Sequence, residues 1–274
     1  MRSVMSNIYA MKSLSFDRMV ELYDETRTCD AACFDAALDL VAERFPPRSF
    51  SKLFEPGIGT GRIAVPLARR GYQVTGTDIS GEMLALLGTR LAQSSRSVSI
   101  SWQKADVTKL PFSSAVFDIV VAVHLFYFVQ KWEHAVDEVL RVVRSDGPVV
   151  LMHTGTGMEI PLLNQRYKEL CAEQGCPIKQ IGVSSTRQVV DYCEDIGRRT
   201  EWIRDRWQWT ARIRLDKALG YLKSRAYSFT TFAPDDVHSA AIKRLESELE
   251  QQYGSLNTVV KVPNQVYIVV ISQG

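Results

Sequence analysis

Residues 53–64 of this 274-residue chain are LFEPGIGTGRIA, an apolar run closed by an acid, Glu55, followed by glycines at positions 57, 59 and 61. A helix-like stretch, IAVPLARRG, comes next. The order is strand, glycine turn, helix, and few other arrangements suit it. Glycine serves where a backbone turns with positive φ or lies against a ligand with no Cβ in between. The helix that follows directs its unpaired N–H groups back at the turn, so the strand end is a natural cofactor site.

Around this turn the chain alternates. Residues 16–28 and 31–45 have helical character; in the second, Phe34, Leu38, Val41 and Phe45 recur at helical spacing before Pro46-Pro47 stops it. Strands are expected at 52–56, 72–78, 97–104, 117–123 and 148–153, with helices at about 60–70, 80–93 and 131–144. Strands separated by helices imply right-handed βαβ units and a parallel sheet covered on both faces. After His153 the alternation lapses. A helical piece, LLNQRYKELCAE, and a polar stretch, GVSSTRQVVDYCEDIG, lead to a strand, TEWIRDRWQWTARI, with Trp207 and Trp209 on one face. Helices around 214–225 and 235–252 precede a closing strand, VVKVPNQVYIVVIS.

The glycine spacing decides between two kinds of cofactor. A dinucleotide turn requires G-x-G-x-x-G, but Arg62 stands at the sixth position, and the pattern here is E-x-G-x-G-x-G. Glu55 would repel a pyrophosphate and attract a ligand bearing an ammonium and a sulfonium. These residues resemble the class I S-adenosylmethionine-dependent methyltransferases, in particular the small-molecule branch called type 11 or ubiquinone-biosynthesis-like. The resemblance spans about residues 16–153, and Glu55, Gly57, Gly59 and Gly61 match the family's first motif. It implies that Asp78 accepts hydrogen bonds from the ribose hydroxyls, that Ile79 packs on adenine, and that Asp106 and Val107 meet the adenine edge. It further implies that the backbone at His124 reaches the methionine end, and that Tyr23 and Arg27, in a Y-D-x-x-R stretch, close over it. The fold implied is Rossmann-like and doubly wound, a mostly parallel seven-stranded sheet with an antiparallel last strand. An N-terminal helical cap (1–50) precedes a cofactor core (51–154), a lid (155–230, with an edge strand near 200–212) and a final helix and strand (231–274) completing the sheet.

The implied reaction is in-line displacement at the sulfonium methyl, where aligning the acceptor alone contributes on the order of 7–11 kcal/mol. His124, with Tyr127 and His153 nearby in the order of strands, is the candidate catalytic base for an oxygen or nitrogen acceptor. After the fourth strand stands HLFY in place of the (D/N/S)PP(Y/F/W) pattern of nucleic-acid amino methylation, and no carboxylate run suggests a divalent metal. The aromatic content of 155–230 favours a small, partly apolar acceptor under a lid. Two other readings stay open: a non-catalytic S-adenosylmethionine-binding module, and a nicotinamide oxidoreductase.

Charge and cysteine usage narrow the setting. With 33 basic and 31 acidic residues the formal charge is +2, which gives no general attraction to nucleic acid or anionic membrane. The start, MRSVMSNIYAMKSL, lacks the apolar core of a signal peptide, and no stretch is expected to span a membrane. Five cysteines without a CxxC pair suggest reduced thiols, a cytoplasmic protein and no metal site. A monomer or a homodimer fits equally well.

Overall fold

A computed structural model describes residues 25–95, 97–155 and 157–274. Tyr23 and most of the helix expected over 16–28 lie outside the described residues. The helices, in chain order, are α1 (Ala31–Arg44), α2 (Ala64–Arg69), α3 (Gly81–Gln93), α4 (Trp132–Val142), α5 (Pro161–Glu173), α6 (Thr186–Asp195), α7 (Leu215–Lys223) and α8 (Asp235–Tyr253). The strands are β1 (Lys52–Pro56), β2 (Gln73–Asp78), β3 (Ile100–Lys104), β4 (Ile119–Val123), β5 (Val149–His153), β6 (Arg199–Arg214) and β7 (Val259–Ser272). They form one seven-stranded sheet in the order β3-β2-β1-β4-β5-β7-β6. Pairs within β1–β5 are parallel, whereas β7 runs antiparallel to both β5 and β6. The expected Rossmann-like sheet with an antiparallel last strand is present.

Period-two alternation sorts each strand between two cores. Leu53, Ile119, Val121, Val150 and Met152 face α1, α2 and α3, packing with Leu38, Leu67 and Leu87. Phe54, Val120, Ala122, Val149 and Leu151 face α4 and α6, against Val136, Val139 and Val190. Strands buried on both sides need unbroken apolar runs, which is why IVVAV of β4 has no polar interruption. Local chemistry sets the helix starts. The Asp30 side chain accepts from the Cys33 N–H at 2.9 Å to begin α1, and Ser80 Oγ accepts from the Met83 N–H at 3.1 Å to begin α3.

β6 and β7 outrun the sheet. β5 pairs only with residues 267–271 of β7, while β6 continues along β7 to Val259. A bulge between Ile203 and Trp207, with Asp205 at φ +62°, adds two residues to β6 and so keeps Ile203 and Trp207 on the same face. Trp209 packs on that face too, as the alternation of the sequence indicates. On the projecting ribbon a third core assembles from α5, α7 and α8, with Leu163, Tyr167, Leu219, Leu222, Ile242, Leu245 and Val262 buried together. Helix α8 packs on α5 and α7. Arg166 on α5 pairs with Glu248 on α8 at 2.8 Å. The physical reason is its stripe of Ala241, Ile242, Leu245 and Leu249, which needs an apolar partner that the twin-faced sheet has already given to other helices.

Candidate functional site

The turn between β1 and α2 is fixed from below. Gly57, Gly59 and Gly61 have φ of +72°, +53° and +82°, and the backbone N–H groups of Gly57 and Ile58 donate to the Thr77 carbonyl at 2.7 and 2.9 Å. This pulls the turn onto β2, where a Cβ on Gly76 would lie 2.2 Å from Ile58 Cδ1. The turn takes up residues 57–63, so α2 begins at Ala64, later than the sequence suggests. Asp78 ends β2 beside it. Its Oδ2 accepts from the Gly59 N–H and its Oδ1 from the Ser80 N–H, both at 2.9 Å. These two donors orient the carboxylate.

A cleft of ≈ 80 Å³ opens here, lined by Gly57, Gly59, Asp78, Ile79, Val107 and His124, with Met83, Leu125 and Phe128. Six residues chosen from sequence thus meet on one wall. Other candidates stand elsewhere. Gly61 lies at the α2–α3 contact, where a Cβ would fall 2.5 Å from Leu87 Cδ1. Asp106 turns its Oδ1 to the Thr108 N–H (2.9 Å) and hydroxyl (2.8 Å). Glu55 is 2% exposed behind the turn, with the Ala64 N–H and the charges of Arg62 and Asp78 around it. Its Oε2 has no hydrogen-bond partner, and burial drives its pKa well above the carboxylate range.

His124 sits just past β4 with φ +52°. Its Nε2 accepts from the Thr154 backbone N–H at 3.2 Å and faces the Thr154 hydroxyl at 3.1 Å. Arg62 Nη2 donates to that same hydroxyl at 3.1 Å, which leaves the hydroxyl proton for the imidazole. These partners assign the ring proton to Nδ1 and occupy the Nε2 lone pair. Burial, then coupling to the His153 ring and the positive charges of Arg62 and Arg27, hold its pKa well below the usual histidine value. His153 meets it edge-on at 4.6 Å and stacks on Tyr267 at 4.7 Å; burial lowers its pKa to about 4. The pair is neutral. Tyr127, the other base candidate, shares its hydroxyl with Thr186 at 3.0 Å.

His124 and Phe128 also line a second cavity, of ≈ 430 Å³, which extends under α5 and the turn at 228–232. Arg27 belongs to this one. Its Nη1 lies 3.4 Å from Glu159, and the loop carrying Glu159 is pressed on Thr26 so closely that a Cβ on Gly157 would meet the Thr26 carbonyl at 2.1 Å. Glu159, Asn164, Lys168, Lys179, Tyr227 and Phe229 stand among its other lining residues. Sequence reasoning named none of these six. Each comes from the irregular region after β5, and no local pattern distinguishes them from surface residues.

Residues 54–151, which carry the turn, Asp78, Val107 and His124, match the family model described as a methyltransferase domain. The chain carries a class I S-adenosylmethionine-dependent methyltransferase domain. S-adenosylmethionine is the cofactor of this methyltransferase family, and its members are enzymes. The chain is 28% identical over 196 residues to a demethylmenaquinone methyltransferase of Clavibacter sepedonicus, covering 71% of this chain and 78% of that protein. It is 34% identical over 102 residues to a phosphatidylethanolamine N-methyltransferase of Cereibacter sphaeroides, covering 37% of this chain and 50% of that one. A solved structure described as a putative methyltransferase from an antibiotic biosynthesis pathway of Anabaena variabilis superposes with a TM-score of 0.59 at 18% identity, over 89% of this chain and 98% of its own. Among the described residues no helix is long and apolar enough to cross a membrane.

Proposed function

We propose that the protein methylates a small, partly apolar molecule that sits in the second cavity, with S-adenosylmethionine in the first. The observation that carries this is the shared wall: His124 and Phe128 border both spaces, so a ligand in each would meet there. The residues fit the cofactor. Asp78 presents a fixed carboxylate for the ribose hydroxyls, Ile79, Met83 and Val107 give an apolar slot for adenine, and Gly57 and Gly59 let the methionine part lie on bare backbone. Glu55, with a buried oxygen lacking a partner, suits the ammonium from behind the turn. Gly61 supports the turn through α3, and in this reading Asp106, next to Val107, serves the adenine edge and Arg27, on the wall of the second cavity, serves the methionine end. Bound there, the cofactor supplies an electrophilic methyl group.

What the chain supplies is alignment, exclusion of water and a suitable electrostatic field. His124 and His153 are neutral and therefore do not repel a sulfonium, as an imidazolium would. With its Nε2 lone pair committed to Thr154, His124 acts as an N–H donor from Nδ1 that orients the acceptor, in place of the base role its position suggests. The setting we infer is cytoplasmic, because all five cysteines are free thiols, and the protein works as a monomer or homodimer on small molecules, with no nucleic-acid or membrane substrate.

The test is incubation with methyl-labelled S-adenosylmethionine and, separately, small-molecule extract, RNA, DNA and lipid vesicles. Label should enter the small-molecule fraction as a product heavier by one CH2. Label confined to RNA, DNA or vesicles would overturn the proposal.

A further inference from the structure

The two cavities that meet at His124 differ in charge. Asp78 lines the first. The second is lined by three side-chain cations, Arg27, Lys168 and Lys179, against one carboxylate, Glu159, among the described residues. That excess of two positive charges equals the formal charge of the entire chain, which is +2. Glu159 is held by other partners: its Oε1 faces Arg27 Nη1 at 3.4 Å, and its Oε2 accepts from Asn164 Nδ2 at 3.0 Å, with the charge of Lys168 also acting on it. Burial also raises its pKa, against the pull of Arg27 and Lys168.

Lys168 is held in place by an aromatic shelf. Its Nζ stands 4.7 Å from the centre of the Phe229 ring, and Phe229 stacks on Tyr227 at 5.7 Å with 9° between the planes. A cation over an aromatic face is positioned without being discharged. Beside it Asn164, 6% exposed, has a buried Oδ1 without a hydrogen-bond partner. At the other end of the cavity stand uncharged rings: His124, Tyr127, Phe128 and His153.

We propose that the second cavity takes the methyl acceptor as an anion, with a carboxylate or phosphomonoester held at Lys168 and an apolar body reaching the ring-lined end at the cofactor. Arg27 and Lys179 add to the field that draws the oxyanion in. Asn164 Oδ1 accepts a hydrogen bond from a donor on the ligand. Opposite charge in adjacent cavities sorts the two ligands, because the cationic cofactor is favoured beside Asp78 and disfavoured beside the lysines. This rests on the reading of the first cavity as the cofactor site and the second as the acceptor site.

The experiment is calorimetry on the full chain saturated with S-adenosylhomocysteine, titrated with 4-hydroxybenzoate, phenyl phosphate, 4-hydroxybenzamide and tyramine. At least one anionic probe should bind tenfold or more tightly than the neutral amide, with tyramine weakest, and rising salt should narrow the gap. The carboxylate and phosphate arms identify which oxyanion is preferred. Lys168→Met should abolish the anion preference and Lys168→Arg should keep it, with S-adenosylhomocysteine affinity unchanged in both. An amide that binds as tightly as the anions, a preference that survives Lys168→Met, or no anionic binding at millimolar concentration in the loaded protein would overturn the proposal. Failure of the wild-type chain to bind S-adenosylhomocysteine would instead overturn the cofactor reading, and the anion proposal with it.

Discussion

Replacing His153 with glutamine tests whether the imidazole pair is neutral because the fold makes it so. In the folded protein burial lowers the His153 pKa to about 4 from its ordinary 6.5. Above pH 6.5 neither the folded nor the unfolded chain carries a proton there. Below it the unfolded chain binds a proton that the folded chain refuses, so stability falls as pH drops and levels off only when the folded ring protonates near about 4. At about 1.4 kcal/mol per pH unit, His153 alone costs the wild type about 2 kcal/mol on going from pH 7.5 to pH 5. His153→Gln removes that titration. The packing it loses against Tyr267 and His124 weighs equally at both pH values and cancels in the difference. Urea unfolding of both proteins at both pH values, followed by circular dichroism, should show the wild type losing about 2 kcal/mol more than the variant. Equal losses, or a larger loss in the variant, would refute the reasoning. His124 titrates in the same direction, whereas the raised pKa values of Glu55 and Glu159 act in the opposite direction, and all three remain in both proteins.

Asp78→Ala should weaken S-adenosylhomocysteine binding at least tenfold by calorimetry, because each charge-assisted hydrogen bond to a ribose hydroxyl contributes about 1.5–3 kcal/mol, while the far-ultraviolet spectrum stays native. Gly76→Ala places a methyl 2.2 Å from Ile58 Cδ1 and should cost about 1–3 kcal/mol in urea unfolding. Since Ile58 lies inside the glycine turn, the same substitution should also lower cofactor affinity, whereas Gly220→Ala, with open space around its Cβ position, should not.

The cofactor wall was legible because its determinants are local. A glycine turn after an apolar strand, and an acid closing the next strand, are patterns of a few residues, and parallel pairing of β1 with β2 sets Pro56 beside Thr77 and so brings the turn to Asp78. The acceptor cavity was not legible because it is assembled across the chain. Arg27 lies ahead of β1, Lys168 on α5 and Lys179 in the loop before α6, and each in sequence is an ordinary polar residue; only the fold makes them neighbours. The aromatic shelf is likewise non-local, with Phe229 on a short turn after α7 and Lys168 on a helix some sixty residues earlier. α8 was found in sequence with nearly correct limits, but its partner was not, since an amphipathic stripe states that a helix is covered without stating by what.

Glu55 separates two roles that the structure offers to one side chain. Its carboxylate faces the Ala64 N–H at the start of α2, as a residue securing the helix would, yet its Oε2 is buried with no partner. If that oxygen serves the cofactor's ammonium, the arriving positive charge stabilises the ionised carboxylate and lowers a pKa that burial had raised. Binding then releases protons at any pH between the two values, and affinity rises with pH across that interval. S-adenosylhomocysteine carries the same ammonium and no sulfonium, so it isolates this contact. Titrations in buffers of different ionisation enthalpy should give a proton release for the wild type, and none for Glu55→Gln with its isosteric neutral amide. Release that persists unchanged in Glu55→Gln would assign the proton to another group. If the wild type shows none, and Glu55→Gln lowers stability but not affinity, the acid of the first motif secures α2 alone, and the cofactor's ammonium is met by some other group.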